Sequence, residues 1–169
     1  PKASCRRFAP AMKILGIETS CDDTSAAVVV DGCVLSNAVS SQDELHAAYG
    51  GGVPELAARR HLESIQGIVD RAISRAGVTF GDIDAIAVTR GPGLLGSLLV
   101  GVSVAQGLAL RLNVPLLGVS HLEGHVLSPL VEVEMEFPFL GLLVSGGHTS
   151  LYLVRAVGDY SEIAATRDD

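Results

Sequence analysis

Short apolar runs, each closed by a polar or glycine-rich turn, set the rhythm of this chain. Lys13 to Ile17 is mostly apolar and ends at Glu18-Thr19-Ser20, the pattern of a buried strand opening into a polar loop. Ser25 to Val30 is apolar and rich in valine, Asp31-Gly32 is a hairpin turn, and Cys33 to Ser40 is the returning strand. Gly50 to Val53 form a glycine-rich loop, and Pro54 stands where a first helical residue is expected. From there to Ala76 apolar residues recur with a helical period, at Leu56, Leu62, Ile65, Ile68, Val69, Ala72 and Ile73, and Gly77 is the stop. Asp84 to Thr89 predicts a strand, Ser97 to Leu112 a helix of small residues, Val114 to Val119 a strand and His121 to Val131 a helix. Phe139 to Val144, Ser150 to Ala156 and Tyr160 to Ala164 predict three further strands.

The order therefore begins and ends with a triplet of strands, and the letters repeat as well. A shift of 125 residues lays Leu15-Gly16-Ile17 on Leu140-Gly141-Leu142, Ser20 on Ser145, Thr24-Ser25 on Thr149-Ser150 and Val29 on Val154. Such a restart predicts an internal duplication. A first copy of roughly 120 residues is a normal domain length. A second copy starting near Phe137 has about 33 residues, too few to cover a sheet with helices. The expectation is an α/β chain in which residues 1–11 are a leader or expression remnant, 12–136 form one complete domain and 137–169 are the opening strands of a truncated second.

Composition narrows the function classes. Of 169 residues, 48% are hydrophobic and 18% charged, a globular balance, and the formal charge is −7. With two lysines, no Trp and three Tyr, the chain has neither the basic surface nor the aromatic platform that holds nucleic acid by itself. Cys5, Cys21 and Cys33 form no CxxC pattern, which speaks against a disulfide scaffold or zinc knuckle and for a reducing, cytoplasmic compartment. Leu94 to Leu112 is the longest apolar candidate for a membrane span, but Gly96, Gly101, Gln106 and Gly107 interrupt it. No membrane partner is expected.

Three segments carry candidate chemistry. His121-Leu122-Glu123-Gly124-His125 puts two imidazoles at i and i+4, about 40° apart on one helix face, where they can share a metal ion. Two surface histidines near a helix start are the alternative. Their position after a strand end favours metal, although a tight site needs a third ligand. Leu122 occupies the place where a metalloprotease motif requires Glu, and Glu123 should face away. In Leu143-Val144-Ser145-Gly146-Gly147-His148-Thr149, paired glycines after a strand either form a plain hairpin turn or let backbone N–H groups reach a phosphate. Its counterpart in the first copy runs from Glu18 to Thr24, and two such hairpins facing one cleft can hold a nucleotide's phosphates. Ser20, His148 and Thr149 add polar groups, and Cys21 reads as a small half-buried thiol more than a reactive one. Gly91 to Ser97 is no Walker loop, since Ser97 replaces the Lys; it suits an anion at a helix start or close helix packing equally. Arg59-Arg60-His61 reads as a solvated face.

Taken together, Ile17 to Thr24, Tyr49-Gly50-Gly51 with Val53 to Ala57, Gly91 to Leu94, His121 to His125 and Leu143 to Thr149 closely resemble the TsaD family, formerly Gcp. This is the catalytic subunit of tRNA threonylcarbamoyladenosine synthase, once described as an O-sialoglycoprotein endopeptidase. The resemblance runs from Met12 to Asp169. It implies the actin-like fold of sugar kinases and heat-shock ATPases, here one complete ribonuclease H-like domain plus the first strands of a second. It also implies transfer of a threonylcarbamoyl group from threonylcarbamoyl-AMP to the exocyclic amine of the adenosine beside the tRNA anticodon. His121 and His125 match the family's histidine ligands for one divalent iron or zinc, and Leu143, Val144, Ser145, Gly146 and Gly147 match its substrate stretch. The third metal ligand, an Asp, falls beyond Asp169, which implies little activity for this piece alone. Partners of the TsaB and TsaE type are implied. A nucleotide-binding ATPase or sugar kinase-like relative of the same fold, a non-catalytic partner subunit and the older metalloprotease assignment are the competing readings.

Overall fold

The structure is a computed structural model that describes residues 11–41, 54–145 and 148–167. It divides into two compact units, one reaching from Cys5 to His121 and one containing Leu122 to Asp169.

In the first unit, mostly apolar runs whose buried positions alternate build β1 (Lys13–Glu18), β2 (Thr24–Val30) and β3 (Cys33–Ser40) as an antiparallel meander. The β2–β3 turn is made by Asp31 and Gly32, both at positive φ, as the Asp-Gly pair predicts. Helix α1 (Pro54–Ala76) leads by a single 3-10 turn to β4 (Ala85–Gly91), and α2 (Leu95–Leu112) leads to β5 (Leu116–Ser120). Both β4 and β5 run parallel to β1, giving the sheet order β3-β2-β1-β4-β5. Leu15, Ile17, Ala26, Val28 and Ala38 of the sheet meet Ile65, Ile68, Ala72 of α1 and Ala105, Ala109 of α2 in one apolar core.

The helices seat on the sheet by different devices. α1 presents Ile65, Ile68, Val69, Ala72 and Ile73 as expected, but Leu62 is 66% exposed and His61 takes the inward place instead. α2 runs unbroken through its glycines, as the helix expected over Ser97 to Leu112 requires, and starts two residues earlier. It is one continuous helix, and by length and composition it is apolar enough to cross a membrane. Here its small-residue stripe, Ser97, Gly101, Ala105 and Ala109, is buried in the first unit.

The second unit opens with α3 (His121–Leu127), whose first residue belongs to the first unit, and a 3-10 turn (Ser128–Val131). The helix predicted to Val131 ends early because Pro129 lacks the N–H that an α-helical turn needs. Strands β6 (Phe139–Val144), β7 (His148–Ala156) and β8 (Asp159–Arg167) form an antiparallel meander. A small core joins Val126, Tyr152 and Val154, with Leu127, Phe139, Leu143 and Tyr160 around it.

Hairpin register bears out the 125-residue shift. Ile14 pairs with Val29 and Leu15 with Val28; their shifted counterparts pair likewise, Phe139 with Val154 and Leu140 with Leu153. Ala27 opposite Asn37 is matched by Tyr152 opposite Glu162. The covered faces differ. Leu15 and Ile17 lie in the first core, whereas Leu140 and Leu142 are 61% and 67% exposed. In the second unit it is Gly141 that faces Val126; a Cβ there would lie 3.1 Å from that side chain.

One cysteine expectation needs correction. Cys33 is disulfide-bonded, while Cys21, expected half-buried, is free and exposed.

Candidate functional site

The polar residues that close β1 and β4 converge on the start of α3, all within the first unit. β1 places Glu18 at the sheet's end, and parallel pairing brings the end of β4, with Thr89, beside it. The Glu18 carboxylate accepts hydrogen bonds from the Ser20 backbone N–H and from the Thr89 hydroxyl. His121 Nδ1 lies 2.9 Å from Ser20 Oγ and 3.3 Å from Glu18 Oε2. Burial pushes the Glu18 carboxyl up, but the hydrogen bonds from Thr89, Ser20 and His121 outweigh it and hold the group below its ordinary value.

The turn that carries these groups is clamped from two sides. On one side the Leu94 N–H donates to Ser20 O at 2.8 Å, and Gly93 packs so close that a Cβ would fall 2.5 Å from that oxygen. The Thr19 hydroxyl donates to Ser97 O at 2.8 Å, and a Cβ on Gly101 would collide with it. These glycines serve close packing; of the two readings left open for Gly91 to Ser97, the contacts bear out that one. On the other side His61, fully buried, lies with Nε2 2.9 Å from the Cys21 carbonyl, which takes its N–H, and Nδ1 2.7 Å from Thr24 Oγ1. His61 is thus a structural clamp, not part of a solvated basic face.

Neither Thr89 nor His61 stood out as sequence. Thr89 could have been found from its place at the end of a buried parallel strand, where α/β sheets hold ligands. His61 could have been found from the helical period, since it falls four residues before Ile65 on the inward stripe.

The other predicted residues are placed as follows. His125 stands one turn after His121 in α3. Glu123, the residue a protease reading would need, accepts a hydrogen bond from the Gly158 N–H at 2.9 Å. Leu143 borders the small core of the second unit, and Val144 and Ser145 are exposed. His148 opens β7 and Thr149 follows it opposite Val144. Gly146 and Gly147 lie outside the described residues. Imidazole nitrogens at i and i+4 are chemically suited to iron or zinc as two ligands of a set. No group of three His, Cys, Asp or Glu comes together among the described residues, so a complete set needs a further ligand.

The sheet order, the parallel β1–β4–β5 core and the repeated hairpin define an α/β protein of the actin-like class. YeaZ from Pseudomonas aeruginosa shares this fold, with a TM-score of 0.61 at 23% identity over 92% of this chain and 67% of that one. The profile of the family TsaD, tRNA N6-adenosine threonylcarbamoyltransferase, matches residues 33–169, and the chain belongs to that family. Proteins of that name from Syntrophotalea carbinolica and Trichlorobacter lovleyi are 56% and 58% identical over 159 residues. Those matches take in 94% of this chain and 46% of each relative, so the chain spans about half the length of the curated relatives it matches.

Proposed function

We propose that this chain is the metal-holding and donor-binding half of a tRNA N6-adenosine threonylcarbamoyltransferase. The observation that carries the reading is the family match over residues 33–169. The donor would be threonylcarbamoyl-AMP, a mixed anhydride that is already activated, so no protein nucleophile is required. The adenosine amine attacks the carbamoyl carbon, the bond to the AMP phosphate breaks, and the amine nitrogen sheds a proton. An iron or zinc ion, when bound, would supply Lewis-acid polarisation of the transferred carbonyl. His121 and His125 would hold it, with a third ligand from outside the described residues. Leu143 to Gly147 would hold the donor, Ser145 through its hydroxyl and Gly146 and Gly147 through backbone N–H groups, with Ser20, His148 and Thr149 as further polar contacts.

The formal charge of −7 leaves tRNA to be gripped mainly by other surfaces, and partners of the TsaB and TsaE type would supply them. The expected compartment is the cytoplasm. To test the reading, residues 12–169 are joined to the remaining half of the Syntrophotalea carbinolica relative, and tRNA nucleosides are analysed after incubation with donor. Threonylcarbamoyladenosine should form, and His121→Ala or His125→Ala should lower its rate at least about 100-fold. Full activity of either variant would refute the metal role, and an inactive chimera with intact fold and metal would refute the assignment.

A further inference from the structure

We infer that Glu18, Ser20 and Thr89 are positioning residues that lock the His121 imidazole as its Nδ1–H tautomer, leaving the lone pair on Nε2. The donors and acceptors around Nδ1 decide which tautomer fits. The Glu18 carboxylate is an acceptor, and its two oxygens already receive the Ser20 N–H and the Thr89 O–H. Thr89 spends its only hydroxyl hydrogen there, so it offers none to the ring. An unprotonated Nδ1 would set its lone pair against Glu18 Oε2 at 3.3 Å. A protonated Nδ1 donates to Ser20 Oγ at 2.9 Å and leans toward Glu18, which satisfies both. Ser20 Oγ keeps its own hydrogen for the Cys21 sulfur, 3.8 Å away.

The second histidine of the unit gives an internal contrast. His61 donates from Nε2 to a carbonyl and accepts at Nδ1, the opposite tautomer. Two histidines in one unit are thus set to opposite tautomers by their neighbours. Where a metal is bound, a fixed Nδ1–H presents Nε2 as the ligating nitrogen, and removal of such outer partners commonly costs 10–100-fold in metal affinity. That last step rests on the metal reading above; the tautomer does not.

The test is nitrogen-15 NMR of the whole chain labelled at histidine, at about pH 8, where imidazoles are neutral. His121 should show the Nδ1–H pattern and His61 the Nε2–H pattern. Glu18→Gln, whose amide can donate toward the ring, should shift His121 toward Nε2–H while His61 stays unchanged. Thr89→Val should do so in part, and Thr89→Ser should restore the native pattern. A wild-type His121 that is mainly Nε2–H, or a pattern unmoved by Glu18→Gln, overturns the inference. In parallel, Zn2+ affinity should fall 10–100-fold in Glu18→Gln. If the chimera with the relative's remaining half, which supplies a third ligand, binds no Zn2+ while the tautomer is as stated, the metal reading fails and the positioning role stands.

Discussion

At the scale of single residues, buried polar groups decide the site. His61 satisfies the Cys21 carbonyl and Thr24 Oγ1 at once; removing it takes the imidazole from the carbonyl and leaves Thr24 Oγ1 with Ser64 Oγ alone. His61→Ala is expected to lower the unfolding free energy by about 1–3 kcal/mol, the cost of one polar group left without its partner. A urea melt with an unchanged slope would report it. The same substitution frees the turn, so the exposed thiol of Cys21 should be alkylated faster. Glu18 makes a pH prediction. Its ordinary value is 4.5 and the folded chain holds it lower, so the unfolded chain binds the proton more readily. Stability from this group is therefore complete above 4.5 and is lost as the pH falls from there through the folded value. Stability measured down through that window should fall less steeply for Glu18→Gln than for the native chain.

At the scale of elements, glycines separate helix propensity from packing. Gly67 of α1 has no atom within 4 Å of an added Cβ, so Gly67→Ala should stabilise by roughly 0.5–1 kcal/mol. Gly101 of α2 and Gly93 before it press on Thr19 and Ser20, so alanine at either should cost roughly 1–3 kcal/mol. Thermal melts of the three variants check the opposite signs. The elements themselves were mostly legible in the sequence. Cys33–Ser40, Pro54–Ala76 and Phe139–Val144 were bounded correctly, because Asp31-Gly32, Pro54 and Gly77 are local signals. What the letters hid was tertiary. Nothing local says that Gly101 faces Thr19, that Thr89 comes to lie beside Glu18, or that His61 and not Leu62 turns inward. The HLEGH segment was visible as a candidate because two imidazoles at one spacing are rare, but the hydrogen bonds that orient His121 come from residues about 100 positions earlier.

At the scale of the whole molecule, the two hairpins share a register but not a covering. The face that α1 and α2 bury in the first sheet corresponds in the second to Leu140, Leu142 and Ile163, all more than half exposed. An apolar row of this kind on a sheet is adhesive in water. The chain is expected to self-associate as its concentration rises, and Leu140→Glu with Leu142→Glu should return it to a single species in sedimentation runs. A pair of variants that sediments as the native chain does would show the row to be inert. β6 also poses a question of fidelity, for it is apolar on both sides. Burial alone would barely distinguish it from a neighbour slid by one residue, which exchanges the two sides of a strand. Gly141 supplies the missing distinction: an added Cβ there would already lie 3.1 Å from Val126, so a slid strand would press a whole leucine side chain into that notch. The hydrogen atom of one glycine thus acts as the key that tells this strand which way to face.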